Sequence, residues 1–479
     1  MAENVTEQLA NFVTRVRFDD LPQQLVNKMK WMLLDSIGCA FGGYHTDKAG
    51  IALELVKELG GNPQACIIGG PRTSYALASF ANAELINALD YDYNGPLVGH
   101  VLPFVLPPCL SMAERQNVSG RDLILAMVLG HEVGGRLVSS LSQQRIPKAE
   151  PPYYDESPRY SYSATVFGGV AGAGRLMDFD VKKMRNAFGI AGASTPVLSG
   201  MKWFRGGGPV NMMKYGTGTG WISQLATTAV LLAEKGFTGD TTILDGEWGF
   251  WQIIGSSFFK VDNLLKGLGE VWRADQVEYK LYPCCRCNHA GIDGICSIMH
   301  QHGIKPEEID EIVVKGDSWL QVPLRTGNKL ESFLDIQFIN RYIFGLAPYF
   351  GFNPGPAWQT PEVYDLPEIK RMAEKVKVEL HPQTHEVLAH KVKAGQKPGF
   401  RGTIVELKAK GNRFEIEVPE PRGGPENPPA ESELLEKFRN NAAYSSLKHD
   451  RAEQIIEVIG RLDQIENIHE LSRLLSIDD

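Results

Sequence analysis

Long apolar runs are missing from the 479-residue sequence. No stretch of about 18 or more apolar residues stands out as a membrane span, so no membrane partner is expected. A surplus of positive charge is missing too: 49 basic against 57 acidic side chains leave a net charge of −8. That balance gives no basic footprint for a polyphosphate chain, and a nucleic-acid partner is not expected. Cysteines are few, seven in all, and their number is odd. Scattered except for one cluster, they fit reduced thiols better than a disulfide scaffold. The opening MAENVTEQLANF carries acids early and has no basic region ahead of an apolar core. It does not read as a secretory signal, and a cytoplasmic location is expected. Internal repeats and long low-complexity tracts are also missing.

What remains is a chain with 43% hydrophobic residues, enough to fill the cores of about two to three domains. From about Pro22 to Leu265 it reads as a succession of helices. In Ser119 to Leu141 apolar residues recur at three- and four-residue steps, which predicts one buried face, and Ser119 with Asp122 resembles a capping arrangement. Trp221 to Lys235 ends in Gly236, a helix stop, and stretches such as VFGGVAGAGRLM use small residues that let helices approach closely. After about Leu268 short runs with period two predict strands at Ile309 to Lys315, Val376 to His381, Thr403 to Lys410 and Arg413 to Val418. The last two flank Gly411-Asn412, a hairpin signal that sets Val405, Leu407 and Ala409 against Phe414, Ile416 and Val418. Residues 419–432, PEPRGGPENPPAES, read as a linker. The amphipathic helices beyond it look too small to form a core alone and are expected to rejoin the first domain. The fold class predicted is mainly α with a smaller α+β unit.

Three constellations offer chemistry. Asp90-Tyr91-Asp92-Tyr93-Asn94, then Gly95-Pro96 and His100, follow the helix-like run FANAELINAL. Acids and an imidazole in a turn can supply general acid and base groups, or the Asp can cap the turn while the His bonds locally. Arg205, Lys214 and the run Gly216 to Gly220 could present charge and backbone N–H groups to a small carboxylate. The alternative there is a plain helix start with a solvent-facing Lys. The strand needed by a dinucleotide fingerprint and the Gly-Lys-Ser/Thr order of a P-loop are both missing. Lys280-Leu281-Tyr282-Pro283-Cys284-Cys285-Arg286-Cys287-Asn288-His289 invites a zinc reading, but no second separated pair exists, so no metal is expected. Cysteine as a small apolar neighbour of functional Lys, Tyr or His is preferred. His131, Glu132 and Arg136 read as a buried polar pairing that supports packing.

Taken in order, LDSIGCA (34–40), FANAELINALDYDYN with His100, SGRDLILAMVLGHEVGGRL, LLAEKGFTGDTTILDGEWGF, YKLYPCCRCNH and NPPAESELLEKF resemble the MmgE/PrpD family over nearly the whole chain. The resemblance implies a helical domain at 1–267 and 430–479, an α+β lid at 268–429, and a homodimer. It implies an enzyme that works without a cofactor on small di- or tricarboxylates, a dehydratase or decarboxylase passing through a carbanion- or enolate-like species, or alternatively an epimerase or a degenerate carboxylate binder. By position it carries Asp90, His100, Lys214 and His289 over as catalytic groups, with Lys280 on a substrate carboxylate and Tyr342 as a lid tyrosine. Asn94, Arg159, Tyr160, Tyr162, Tyr282, Arg286 and Tyr342 join Lys280 among the substrate-binding candidates. Asn94 stands where relatives carry threonine. Arg159, Tyr160 and Tyr162 occupy the stretch where relatives often open a helix with histidine, so the exact reaction and substrate stay open.

Overall fold

The computed structural model describes residues 4–95, 99–141, 161–196, 211–213, 218–256, 259–322, 324–383, 386, 390 and 402–476. The protein is mainly helical, with a small mixed sheet in its later part. Its longer helices up to residue 234 are α1 (Val5–Arg15), α2 (Gln23–Gly43), α3 (Asp47–Leu59), α4 (Tyr75–Asn87), α5 (Leu102–Gln116), α6 (Gly120–Leu141), α7 (Thr165–Leu176), α8 (Val181–Ser194) and α9 (Thr219–Glu234). A two-stranded ribbon, β1 (Ala65–Cys66) and β2 (Arg72–Thr73), lies between α3 and α4.

Helix α6 begins where the sequence signals a cap: the Ser119 N–H and Oγ–H both reach Asp122 Oδ2, at 3.1 and 2.6 Å. The expectation of one buried face is corrected, because every residue from Leu123 to Leu141 is buried. This helix is also long and apolar enough to cross a membrane, which the reading of the sequence did not register. Its apolar window lies wholly inside the protein, so its composition reflects a core position. Partners surround it because glycines remove the side chains between backbones. A Cβ added at Gly168 of α7 would come within 2.5 Å of the Gly130 carbonyl oxygen.

The later part holds α10 (His289–His302), β3 (Ile309–Gly316), α11 (Asn340–Phe350), α12 (Pro367–Glu374), β4 (Val376–Leu380), β5 (Thr403–Ala409) and β6 (Asn412–Val418). The sheet order is β4-β3-β5-β6, with β3 parallel to β4 and antiparallel to β5. The β5–β6 hairpin forms as expected but in a shifted register, Val405 opposite Ile416 and Leu407 opposite Phe414. Its turn falls one residue earlier than expected: Lys410 and Gly411, at φ 54° and 72°, are the two central residues. Left-handed backbone at both positions is what a two-residue hairpin turn requires.

Two apolar cores result. One gathers residues from Val5 to Tyr279 together with Leu434 to Leu475, the latter on α13 (Glu431–Tyr444), α14 (His449–Gly460) and α15 (His469–Leu475). The other runs from Leu281 to Ala409. The segment expected to be a linker is instead a clamp. Arg422 donates to Asp293 Oδ1 from Nε at 3.0 Å and to the Tyr282 hydroxyl at 2.8 Å, and its guanidinium also pairs with Glu433 on α13.

Candidate active site

The connection from α4 to α5 is the centre of the site. Helix α4 stops at Asn87, whose side-chain amide donates to Asp92 Oδ1 at 2.9 Å. Asp90 then takes left-handed backbone, φ 54°, a conformation that a short polar side chain tolerates better than most. The turn fixes both acids around one imidazole. His100 Nδ1 lies 2.6 Å from Asp92 Oδ2, and Nε2 lies 3.4 Å from Asp90 Oδ1. All three side chains are buried.

Lys280 completes the cluster from the far side of the chain. Its ammonium sits 2.8 Å from Asp90 Oδ2 and donates to the Asp90 carbonyl at 2.8 Å. It is placed there by a short backbone bridge, in which the Asn94 N–H donates to the Glu278 carbonyl at 2.8 Å and the Glu278 N–H returns to the Asn94 carbonyl at 2.7 Å. Asn94 therefore acts here through its backbone as a register pin. The Tyr162 ring stacks on Phe104 at 5.9 Å and lies 6.4 Å from the His100 ring. Its hydroxyl presses on Gly99, where an added Cβ would come within 2.2 Å; Gly99 itself sits at φ 61°, so glycine is required twice over.

The electrostatics follow from this packing. Burial alone would lower the His100 pKa, but Asp92 and the bonds to both acids outweigh it, and the pKa is raised. The shift favours the protonated ring. Burial would raise the Asp92 carboxyl, and His100 more than offsets it, so the carboxylate form is favoured. Lys280 is likewise held charged: burial acts downward, Asp90 acts upward, and the net shift is up. Two basic groups, His100 and Lys280, thus face two acidic ones, Asp90 and Asp92, in a site largely closed to water.

The other sequence-predicted residues divide. His289 is buried near the cluster and neutral, its pKa driven down by burial and then by Arg286 and Lys280. Both ring nitrogens are taken, Nδ1 by Arg286 at 3.1 Å and Nε2 by the Cys284 carbonyl at 3.3 Å. Arg286 also donates to the carbonyls of Pro421 and Arg422, at 3.1 and 2.5 Å. The Tyr282 hydroxyl donates to Asp293 at 2.6 Å. These three side chains join the clamp segment to the second core. Tyr342 on α11 donates its hydroxyl to the Asn328 carbonyl at 3.1 Å. Lys214, Arg159, Tyr160 and Arg205 lie outside the described residues. Among the described residues no group of three or more His, Cys, Asp or Glu is arranged to hold a metal ion.

Sequence reasoning missed the groups that hold the turn. Lys437 of α13 donates to the Tyr91 carbonyl at 2.7 Å and pairs with Asp35 of α2 at 2.6 Å. Gln337 and Gln359 donate to the carbonyls of Ala88 and Leu89 at 3.0 and 2.7 Å. Asp35 and Lys437 stood inside quoted motifs, LDSIGCA and ESELLEKF, where the signal was present but unassigned.

A helical protein with a smaller mixed-sheet part, in which a buried acid–imidazole–lysine cluster sits where the two cores meet, defines an enzyme class built for acid–base work. The chain belongs to the MmgE/PrpD family: residues 7–260 match the MmgE/PrpD N-terminal domain and 282–464 the MmgE/PrpD C-terminal domain. Among its relatives are cis-aconitate decarboxylases. That of Mus musculus is 25% identical over 504 residues, covering 99% of this chain and 94% of the relative. That of Homo sapiens is 24% identical, covering 99% and 95%, and that of Aspergillus terreus is 23% identical, covering 98% and 96%. The protein is accordingly an enzyme.

Proposed function

We propose that the protein is a cofactor-independent lyase that decarboxylates a small unsaturated tricarboxylate of the cis-aconitate kind. The observation that carries the reading is the His100 imidazole, gripped by Asp92 at 2.6 Å and faced by Asp90, with Lys280 beside it. Loss of carbon dioxide leaves an electron pair on carbon, which spreads into the adjoining double bond and carboxylate. A cation near that carboxylate lowers the barrier, and a poised acid returns one proton to carbon. Lys280 supplies the first function. His100 supplies the second through Nε2–H, which faces Asp90 at the longer 3.4 Å, whereas Nδ1 is held by Asp92 at 2.6 Å. The names of the relatives support decarboxylation over dehydration.

The experiment is incubation of the purified protein with a panel of di- and tricarboxylates in deuterated water, followed by NMR. The expected result is loss of carbon dioxide from a tricarboxylate, with one deuteron on carbon in the product. Loss of water, or proton exchange with no loss of carbon dioxide, would overturn the reading in favour of a dehydratase or an epimerase.

A further inference from the structure

Seven cysteines are present, and six of them are buried; Cys285 alone is partly exposed. It stands at the entry to the 3₁₀ turn Arg286–Asn288, which carries Cys287. The two sulfurs share one cation. Arg325, itself buried, donates from one terminal nitrogen to Cys285 Sγ at 3.0 Å and from the other to Cys287 Sγ. The backbone beneath is pinned, with the Cys285 N–H on the Gln337 carbonyl at 3.0 Å. The thiols are not equivalent. A hydrogen bond from Cys287, then Arg325 and Lys280 acting against burial, holds Cys285 well below the usual thiol range; burial and the same bond push Cys287 up. The pair therefore sets a partly exposed sulfur whose thiolate form is favoured beside a buried one whose thiol form is favoured, both held on Arg325. Nothing in the acid–imidazole–lysine chemistry uses either sulfur.

We propose that Cys285 and Cys287 form a peroxide-reactive dithiol, Cys285 being the attacking sulfur, Cys287 the resolving one, and a hydroperoxide the co-substrate. Cys285 sulfur attacks one peroxide oxygen, the O–O bond breaks, and the departing oxygen leaves protonated as water or an alcohol. Cys285 is then a sulfenic acid. Cys287 sulfur attacks Cys285 sulfur, the S–S bond forms, the S–O bond breaks, and hydroxide leaves as water with the Cys287 proton. Two thiols give up two electrons and the peroxide takes up two. The oxidised pair no longer offers a negative sulfur to Lys280 and Arg325. Resting on the proposed role of Lys280, this makes decarboxylation slower in the oxidised protein and restores it on reduction.

The test treats the full chain with a few equivalents of hydrogen peroxide, blocks remaining thiols with a maleimide, and digests with trypsin, which cuts after Arg286. The expected product is a disulfide joining peptide 281–286 to peptide 287–315. Its formation should be at least about tenfold faster than oxidation of the other five cysteines, since an ordinary thiol is only a few per cent thiolate at neutral pH. In Cys287→Ser the reaction should stop at a sulfenic acid on Cys285, trapped by a 1,3-dione. In Cys285→Ser the cross-link should vanish. A Cys285 that remains alkylatable after peroxide, or that reacts no faster than the buried thiols, would overturn the proposal. Because the readout is mass, this outcome does not depend on whether the protein turns over a tricarboxylate. Disulfide formation with unchanged turnover would overturn the control of activity alone.

Discussion

His100 depends on Asp92 for its proton. With the carboxylate 2.6 Å from Nδ1, deprotonation of the ring is opposed over the range where a free imidazole, near pH 6.5, gives its proton up. Replacing Asp92 by Asn keeps the shape and removes the charge. The basic limb of the kcat profile should then move down by about 1 pH unit or more; an unmoved limb would show that His100 does not set it. The same shift bears on stability. A group whose folded pKa is raised adds stability that is fully present below about pH 6.5 and is lost as pH rises through the folded value. Urea midpoints measured upward from pH 6 should therefore fall in the native protein, and fall less in His100→Gln.

Among the elements, the contacts made by glycine on α6 and α7 set how close two core helices lie. Gly168→Ala would drive a methyl against the Gly130 carbonyl, a collision at 2.5 Å that backbone must relieve. A loss of about 1–3 kcal/mol is expected for such overpacking, read as a lower urea midpoint. The helices themselves and the β5–β6 hairpin were legible in the sequence because their causes are local: a 3.6-residue repeat, a Ser119–Asp122 cap, a glycine in a two-residue turn. Even there, period alone missed that α6 is buried on all sides, since that depends on which helices surround it. Asp90 and His100 were also legible, lying ten residues apart on one turn. Their supports were not. Lys280 meets Asp90 across 190 positions and Lys437 meets Asp35 across 402, and no local pattern announces such pairs. For the same reason the sequence set Tyr282 and Arg286 among substrate groups and His289 among catalytic ones without showing that their polar atoms bond to the clamp segment, to Asp293, to the Cys284 carbonyl and to one another.

For the whole molecule, the site exists because the two apolar cores are tied together across it. Lys437, from the far end of the chain, binds Asp35 and the Tyr91 carbonyl, so the C-terminal helices take part in shaping the turn that carries Asp90 and Asp92. Lys437→Met would leave the buried Asp35 carboxylate without its cation. Breaking a buried pair in this way costs about 3–5 kcal/mol, and a thermal melt should show it as a large fall in midpoint. Lys437→Arg should recover part of it.

The proposed chemistry rests on one protonation state, that of His100 in the resting enzyme. Nitrogen-15 NMR of histidine-labelled protein reads it directly. With assignment by a His100→Gln variant, both ring nitrogens of His100 should carry protons at pH 6.5, where a free imidazole is half neutral, while the buried His289 should be neutral. A His100 ring that is already neutral at pH 6.5 would contradict the assignment of His100 as the acid.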